Sequence, residues 1–307
     1  MSSKENKIIK INSVSELHKL MGLSKPKHPL VSLINYNDIQ YDDIDNSVKA
    51  ILNFYTVSIK HNADCKFNYG QNYYDFDEGV LAFMEPGQIA SGTQNGNIRA
   101  DGWLLVFHPD LIRNYPIGKS IKNYGFFSYA VNEALHLSES EEEMIGEIFK
   151  NIEKEYNHSI DQFSQDVMVS QIELLLNYSN RFYNRQFITR KTASSDLLTK
   201  MENLLDEYFE SDKILESGLP TVHFFAEKLN LSPNYLSDML RSITGQSTQQ
   251  HIHNKLIEKA KEALSTTNLS VSEIAYQLGF EHPQSFSKLF KSKMNVSPLE
   301  YRASFNK

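Results

Sequence analysis

One feature constrains this chain more than any other: a segment of about 50 residues near the C-terminal end occurs twice. The first copy begins at Thr221 and the second at Ser270. Val222 matches Val271, Phe225 matches Ile274, Ala226 matches Ala275, Leu229 matches Leu278 and Leu231 matches Phe280. With one inserted residue, Leu236 then matches Phe286 and Leu240 matches Phe290. Each copy predicts a short helix, a tight turn and a second helix. Two helices crossing steeply need a small residue at the contact, and Ala226 and Ala275 supply it. Gly279 suits the left-handed conformation that ends a helix, and Asn230 does the same less well. Ser232 can cap the next helix with Pro233 at its first position; Pro283 has the same placement behind His282, a poorer cap. Ser270 with Glu273 and Ser297 with Glu300 fit the capping box.

The apolar period sorts the second helix of each copy into two faces. Leu236, Met239, Leu240 and Ile243 point inward in the first, and Phe286, Leu289, Phe290 and Met294 in the second. Asn234, Ser237, Asp238 and Arg241 then face outward, as do Gln284, Ser285, Ser287, Lys288 and Lys291. Glutamine can pair with adenine, and lysine suits guanine or phosphate. A plain helical bundle would also have polar outer faces. Two copies of a broken helix followed by a capped one favour two helix-turn-helix units, at about 222–243 and 271–293. Ile252, Leu256, Ile257, Ala260, Ala263 and Leu264 mark a connecting helix. Units entering successive major grooves on one DNA face would sit roughly 34 Å apart.

These residues carry a family resemblance. Leu269–Phe280, Ser285–Lys291 and Ser297–Arg302 resemble the signature of the AraC-type family of transcription regulators, named after the arabinose regulator. The resemblance covers about 197–305. It implies a seven-helix DNA-binding domain, promoter binding with RNA polymerase as partner and activation as the usual outcome, a homodimer, and an N-terminal cupin-like β domain. Two positions depart from the family pattern. Asp238 stands where a base is frequent, and a carboxylate there repels phosphate but can accept from cytosine. Lys288 stands where arginine is frequent, which loses the two-pronged fork.

Charge distribution agrees with a nucleic-acid module joined to something else. The net charge of the 307 residues is −7. Residues 213–307 hold eleven Lys and Arg against eight acids, whereas 1–212 hold twenty against thirty. From Lys288 onward five bases (Lys288, Lys291, Lys293, Arg302 and Lys307) face one acid, Glu300. An apolar content of 40% predicts a globular chain, and no run approaches the ~18 apolar residues of a membrane span. Met1–Lys10 lacks the apolar core of a signal peptide, so a cytoplasmic protein is expected. A lone cysteine, Cys65, allows no internal disulfide and is expected to be inert.

The expected class is α+β and multidomain. Leu30–Tyr36, Leu52–Ile59, Val80–Met84 and Trp103–Phe107 read as strands separated by Gly and Pro turns, predicting a sandwich or small barrel over 1–137. A helical dimerisation segment is expected over 138–190. Met144, Ile148, Ile152 and Tyr156 recur on its first helix; Phe163, Val167, Ile172, Leu175, Leu176 and Phe182 share a face of its second. Arg185–Ser195 reads as a polar linker, and 191–307 as the all-α DNA-binding domain, opened by the buried face of Leu197, Leu198, Met201, Leu204, Leu205, Tyr208 and Phe209. The fold-level resemblance implies a small-molecule effector in the β domain. Tyr73, Phe83 and Trp103 would supply aromatic surface there, and Arg99 and His108 polar contacts. The alternative is a ligand-independent regulator whose β domain only dimerises. No His-x-His pair, nucleophile–base motif or phosphate-cradling loop occurs, so no metal, cofactor or enzymatic activity is expected. A cupin-type enzyme fused to a DNA-binding domain is the remote alternative.

Overall fold

The computed structural model describes residues 8–40, 49–61, 68–69, 72–73, 79–91, 101–130, 133–189, 191–211 and 213–305. The chain divides into two compact units, Met1–Gln186 and Phe187–Lys307.

The first unit is built on two sheets. β1 (Ile8–Ile11), β3 (Lys49–Leu52) and β8 (Ile89–Ser91) form one, in the order β1-β3-β8. The other contains β2 (Val31–Asn35), β4 (Tyr55–His61), β7 (Val80–Met84), β9 (Asp101–Phe107) and β10 (Leu135–His136), in the order β10-β7-β4-β9-β2. It is antiparallel throughout. β5 (Asn68–Tyr69) and β6 (Asn72–Tyr73) pair separately. Among the described residues both larger sheets are open, and no closed barrel forms.

Alternation along the strands gives the five-stranded sheet two apolar faces. Ile34, Leu104 and Val106 pack with Ile11, Leu52 and Phe54 and with Val14 and Leu17 of α1 (Val14–Leu20). On the other face register aligns Phe83, Val57 and Leu105. Phe83 meets Phe126, Phe127 and Tyr183, with ring centroids 4.4, 5.7 and 6.2 Å away. Two short helices, α2 (Pro109–Ile112) and α3 (Pro116–Ser120), follow β9.

The long helices differ from the sequence expectation in which residues they bury. α4 (Glu139–Asn157) starts at a Ser138–Glu141 capping box and buries Ile145, Ile148, Phe149 and Ile152, while Met144 is exposed. α5 (Ser164–Thr189) buries Ile172, Leu175, Leu176, Phe182 and Tyr183. Phe163 and Val167 are exposed. Phe163 precedes the helix, and Val167, five residues before Ile172, points well away from the buried side of the helix. The division between the two units falls within the expected linker, Arg185–Ser195, whose described residues are helical. Arg185 lies inside α5, donates Nε to Glu141 Oε1 at 2.9 Å and Nη2 to the His136 carbonyl at 2.8 Å. The next residue, Gln186, accepts the His136 N–H at 2.9 Å. A polar run without Gly or Pro carries no strong helix breaker, so polarity alone does not end a helix.

The second unit is helical. α6 (Lys191–Glu210) buries Met201, Leu205 and Tyr208, the centre of the expected face. After it come α7 (Lys213–Ser217), α8 (Val222–Lys228), α9 (Pro233–Thr244), α10 (Thr248–Thr266), α11 (Val271–Gln277), α12 (Pro283–Met294) and α13 (Pro298–Ala303). Among the described residues, no helix is long and apolar enough to cross a membrane.

Candidate nucleic-acid interface

The repeat is reproduced bond for bond. In the first copy Leu229, Asn230 and Leu231 donate their backbone N–H groups to the carbonyls of Phe225, Glu227 and Ala226, at 3.0, 3.1 and 2.9 Å. In the second, Leu278, Gly279 and Phe280 donate to Ile274, Tyr276 and Ala275, each at 3.0 Å. Asn230 and Gly279 turn the chain at φ +55° and +81°. The helices after the turns end alike, with Gly245 and Asn295 in the left-handed conformation donating to the Arg241 and Lys291 carbonyls, both at 2.9 Å. Ala226 and Ala275 are buried, on α8 and α11, the helices that pack against α9 and α12. Leu236 and Leu240, and their counterparts Phe286 and Phe290, are buried to 1% exposure or less.

Side-chain caps fix the starts of α8, α9, α11 and α13. Thr221 Oγ1 accepts the Phe224 N–H at 3.2 Å, and Ser232 Oγ accepts that of Tyr235 at 3.3 Å. Ser270 and Glu273 form the expected reciprocal box, with bonds of 2.7 and 3.2 Å; Ser297 and Glu300 do the same at 2.7 and 3.3 Å. These bonds hold the Glu273 and Glu300 carboxyls below the ordinary range, through the Ser270 hydroxyl foremost in one and the Ser297 N–H foremost in the other. His282 precedes α12 without a side-chain cap, so its start is less firmly held than that of α9.

The outward residues of the two reading helices have different surroundings. On α9, Asn234 and Arg241 are exposed, while Ser237 and Asp238 are half-buried. Ser237 turns its hydroxyl to Thr248 Oγ1 on α10, 3.1 Å away. Arg241 Nη1 donates to Asp238 Oδ1 at 2.6 Å. On α12, Gln284, Ser285, Lys288 and Lys291 are exposed and Ser287 is half-buried. Among the described residues, Lys288 and Lys291 have no ion-pair partner. α12 therefore offers positive charge outside any close ion pair, with Glu300 near enough to Lys291 to feel it, and α9 offers a charge-compensated pair.

α10 joins the halves by contacts that the sequence reading did not include. Its core side holds Ile252, Leu256, Ile257, Ala260 and Leu264. His251 Nε2 lies 2.9 Å from Thr244 Oγ1 at the end of α9. Asn254 donates to Gln246 Oε1 at 2.7 Å and accepts from Lys293 Nζ of α12 at 3.3 Å. Asn254 thus touches the loop after the first reading helix and the end of the second. Nothing in its spacing signals this, because the bridge exists only once the helices are packed.

Comparison with known proteins agrees with this geometry. A helix-turn-helix domain family matches residues 225–304. The raffinose operon transcriptional regulatory protein RafR of Pediococcus pentosaceus is 30% identical over 162 residues, 52% of this chain and 56% of that protein. The arabinose operon regulatory protein of Escherichia coli is 28% identical over 163 residues, 50% of this chain and 54% of that protein.

The second unit carries an AraC-type helix-turn-helix domain.

The match spans about half the length of those operon regulators, and a 139-residue match at 27% identity covers 10% of a histidine kinase of Formosa agariphila. Among solved structures, the C-terminal domain of the response regulator yesN from Fusobacterium nucleatum is 34% identical, covering 35% of this chain and 98% of that one, with a TM-score of 0.31.

Of the expected effector residues in the first unit, Phe83, Trp103 and His108 have described side chains. Phe83 is buried in the aromatic core of the first unit. His108 caps α2, its Nδ1 accepting the Asp110 N–H at 3.2 Å, and its ring meets Phe54 edge-on. Trp103 is half-buried on β9. Tyr73 falls on β6, where side chains are not among those described, and Arg99 and Cys65 lie outside the described residues. A shallow cleft opens elsewhere, lined by Lys27, His28, Leu111, Tyr156, His158 and Met168 among others. Burial holds the His28 imidazole below its ordinary pKa. Among the described residues, no group of three His, Cys, Asp or Glu side chains could hold a metal ion.

Proposed function

We propose that this chain is a sequence-specific DNA-binding transcription regulator, with α9 and α12 as its major-groove readers. One observation carries the proposal: two copies of the same turn, joined by one helix, lie in a segment matched by a helix-turn-helix family. In such units the first helix crosses the backbone and the second presents side chains to base edges. Gln284, Ser285, Lys288 and Lys291 are the readers and phosphate contacts of α12, with Ser287 beside them. Asn234, Ser237, Asp238 and Arg241 are those of α9. Activation through RNA polymerase is the outcome proposed from the relatives' kind. Enrichment of bound duplexes from a randomised pool tests the proposal. A recurrent motif of two boxes supports it, and enrichment of no sequence refutes it.

For the first unit we propose regulation by a small-molecule effector in a cupin-like scaffold, with Tyr73, Phe83, Arg99, Trp103 and His108 as the candidate contacts. A second reading draws support from the surroundings of those residues. Phe83 and His108 already have packing and capping roles, whereas Val167 and Leu174 on α5, with Phe163 just before it, leave apolar surface exposed. On that reading the first unit serves homodimerisation alone. A ligand that shifts both melting and DNA affinity favours the effector. Tighter binding of the full chain than of residues 190–307 to a paired site, with no ligand effect, favours dimerisation.

A further inference from the structure

We propose that Asp238 and Arg241 work as one base-reading device, in which Asp238 positions the Arg241 guanidinium for a guanine and filters against other bases. The inference rests on the placement of α9 in the major groove proposed above.

The geometry separates the two roles. Asp238 has a side-chain exposure of 29% and Arg241 of 57%, so the carboxylate is the inner, anchored partner and the guanidinium the outer one. Arg241 uses Nη1 for the 2.6 Å bond, and the rest of the fork keeps further N–H donors. Asp238 lies one turn toward the start of α9. The bond therefore draws the guanidinium back toward the part of a recognition helix that meets base edges. It also removes rotamer freedom before binding, which lowers the ordering cost at the interface.

The carboxylate has an opposite effect on general affinity. It cancels the charge that Arg241 would otherwise bring to the phosphate backbone, which weakens attachment to DNA of any sequence. It can accept from a cytosine amino group beside the guanine but has no donor for acceptors in the groove. A G·C pair satisfies both members, and most substitutions leave one of them unpaired. Discrimination thus gains from a repulsive element as well as an attractive one. An ordinary exposed ion pair on a helix would do neither of these things, and its removal would be close to silent.

The test uses the full-length chain and a duplex selected from a randomised pool. Wild type, Asp238→Ala, Asp238→Asn and Arg241→Ala are titrated against that duplex, its single-base variants and a random-sequence duplex. Arg241→Ala should lower the preference for one G·C pair by about tenfold. Asp238→Ala should lower the preference at the same pair while binding the random duplex more tightly than wild type. Asp238→Asn, which keeps an acceptor, should recover part of the preference. Unchanged base preference in Asp238→Ala, or a loss at a different pair from Arg241→Ala, overturns the proposal while leaving DNA binding intact. Selection of no sequence by the wild type overturns the DNA-binding reading as well.

Discussion

A β-carbon added to Gly279 would lie 2.9 Å from the carbonyl carbon of Gly218 and 3.0 Å from the Leu219 nitrogen. The turn of the second helix-turn-helix unit thus packs directly against the backbone after α7, at φ +81°. Gly279→Ala meets both a strained conformation and a rigid backbone neighbour. It should destabilise the chain by about 2 kcal/mol or more. Asn230 fills the equivalent place at φ +55°, and Asn230→Gly should be neutral or slightly stabilising. Urea titration of both variants checks the asymmetry.

Acid should weaken the second unit in two stages. Burial holds His251 and His253 below the ordinary histidine value of 6.5, so the unfolded chain binds more protons there. Their contribution is complete above 6.5 and is lost as pH falls through the folded values. Glu273 and Glu300, lowered from 4.5 by their capping serines, act in the same direction at lower pH. Stability measured by urea titration from pH 8 to pH 3 should begin to fall near 6.5, with the lower stage setting in below 4.5. A His251→Asn, His253→Gln double variant should reduce the upper stage, leaving the part due to His28, and keep the lower one.

Lys288 and Lys291 should differ in what they contribute to DNA binding. If Lys291 contacts a phosphate, Lys291→Ala should weaken all sequences alike and reduce the salt slope by about one. A base contact from Lys288 would instead make Lys288→Ala costly mainly on the selected site. Titrations at several salt concentrations separate the two.

Arg185 fastens α5 to Glu141 and to the His136 carbonyl in the first unit. Arg185→Ala leaves the Glu141 carboxylate, with 13% of its side chain exposed, short of its partner. A loss of about 1–3 kcal/mol is expected, with DNA contacts untouched. Thermal melting together with a DNA titration checks both halves of that statement.

The C-terminal half was legible because its signals are local. Helix starts come from Ser and Pro at fixed offsets, turns from Asn230 and Gly279, and the repeat pairs each signal with a second copy. The N-terminal unit was legible only as a set of strands and helices. Its sheets lie open among the described residues, a property of pairing between distant segments that spacing does not encode. Periodicity also misleads around α5, because it groups Phe163 and Val167 with the buried face, whereas Phe163 precedes the helix and both are exposed. Asp238 was visible as an exception, but its bond to Arg241 depends on a rotamer. The Asn254 bridge depends on helix packing, which leaves no mark on the sequence.

The central claim is that α12 reads DNA. Gln284 and Lys288 are exposed on it, so replacing both with alanine should leave the fold intact. The decisive measurement is the affinity of the Gln284→Ala, Lys288→Ala double variant for the selected duplex, with helicity followed by circular dichroism. Loss of about a hundredfold or more in specific affinity at unchanged helicity is the predicted result. Undiminished binding by a variant of unchanged helicity would contradict it.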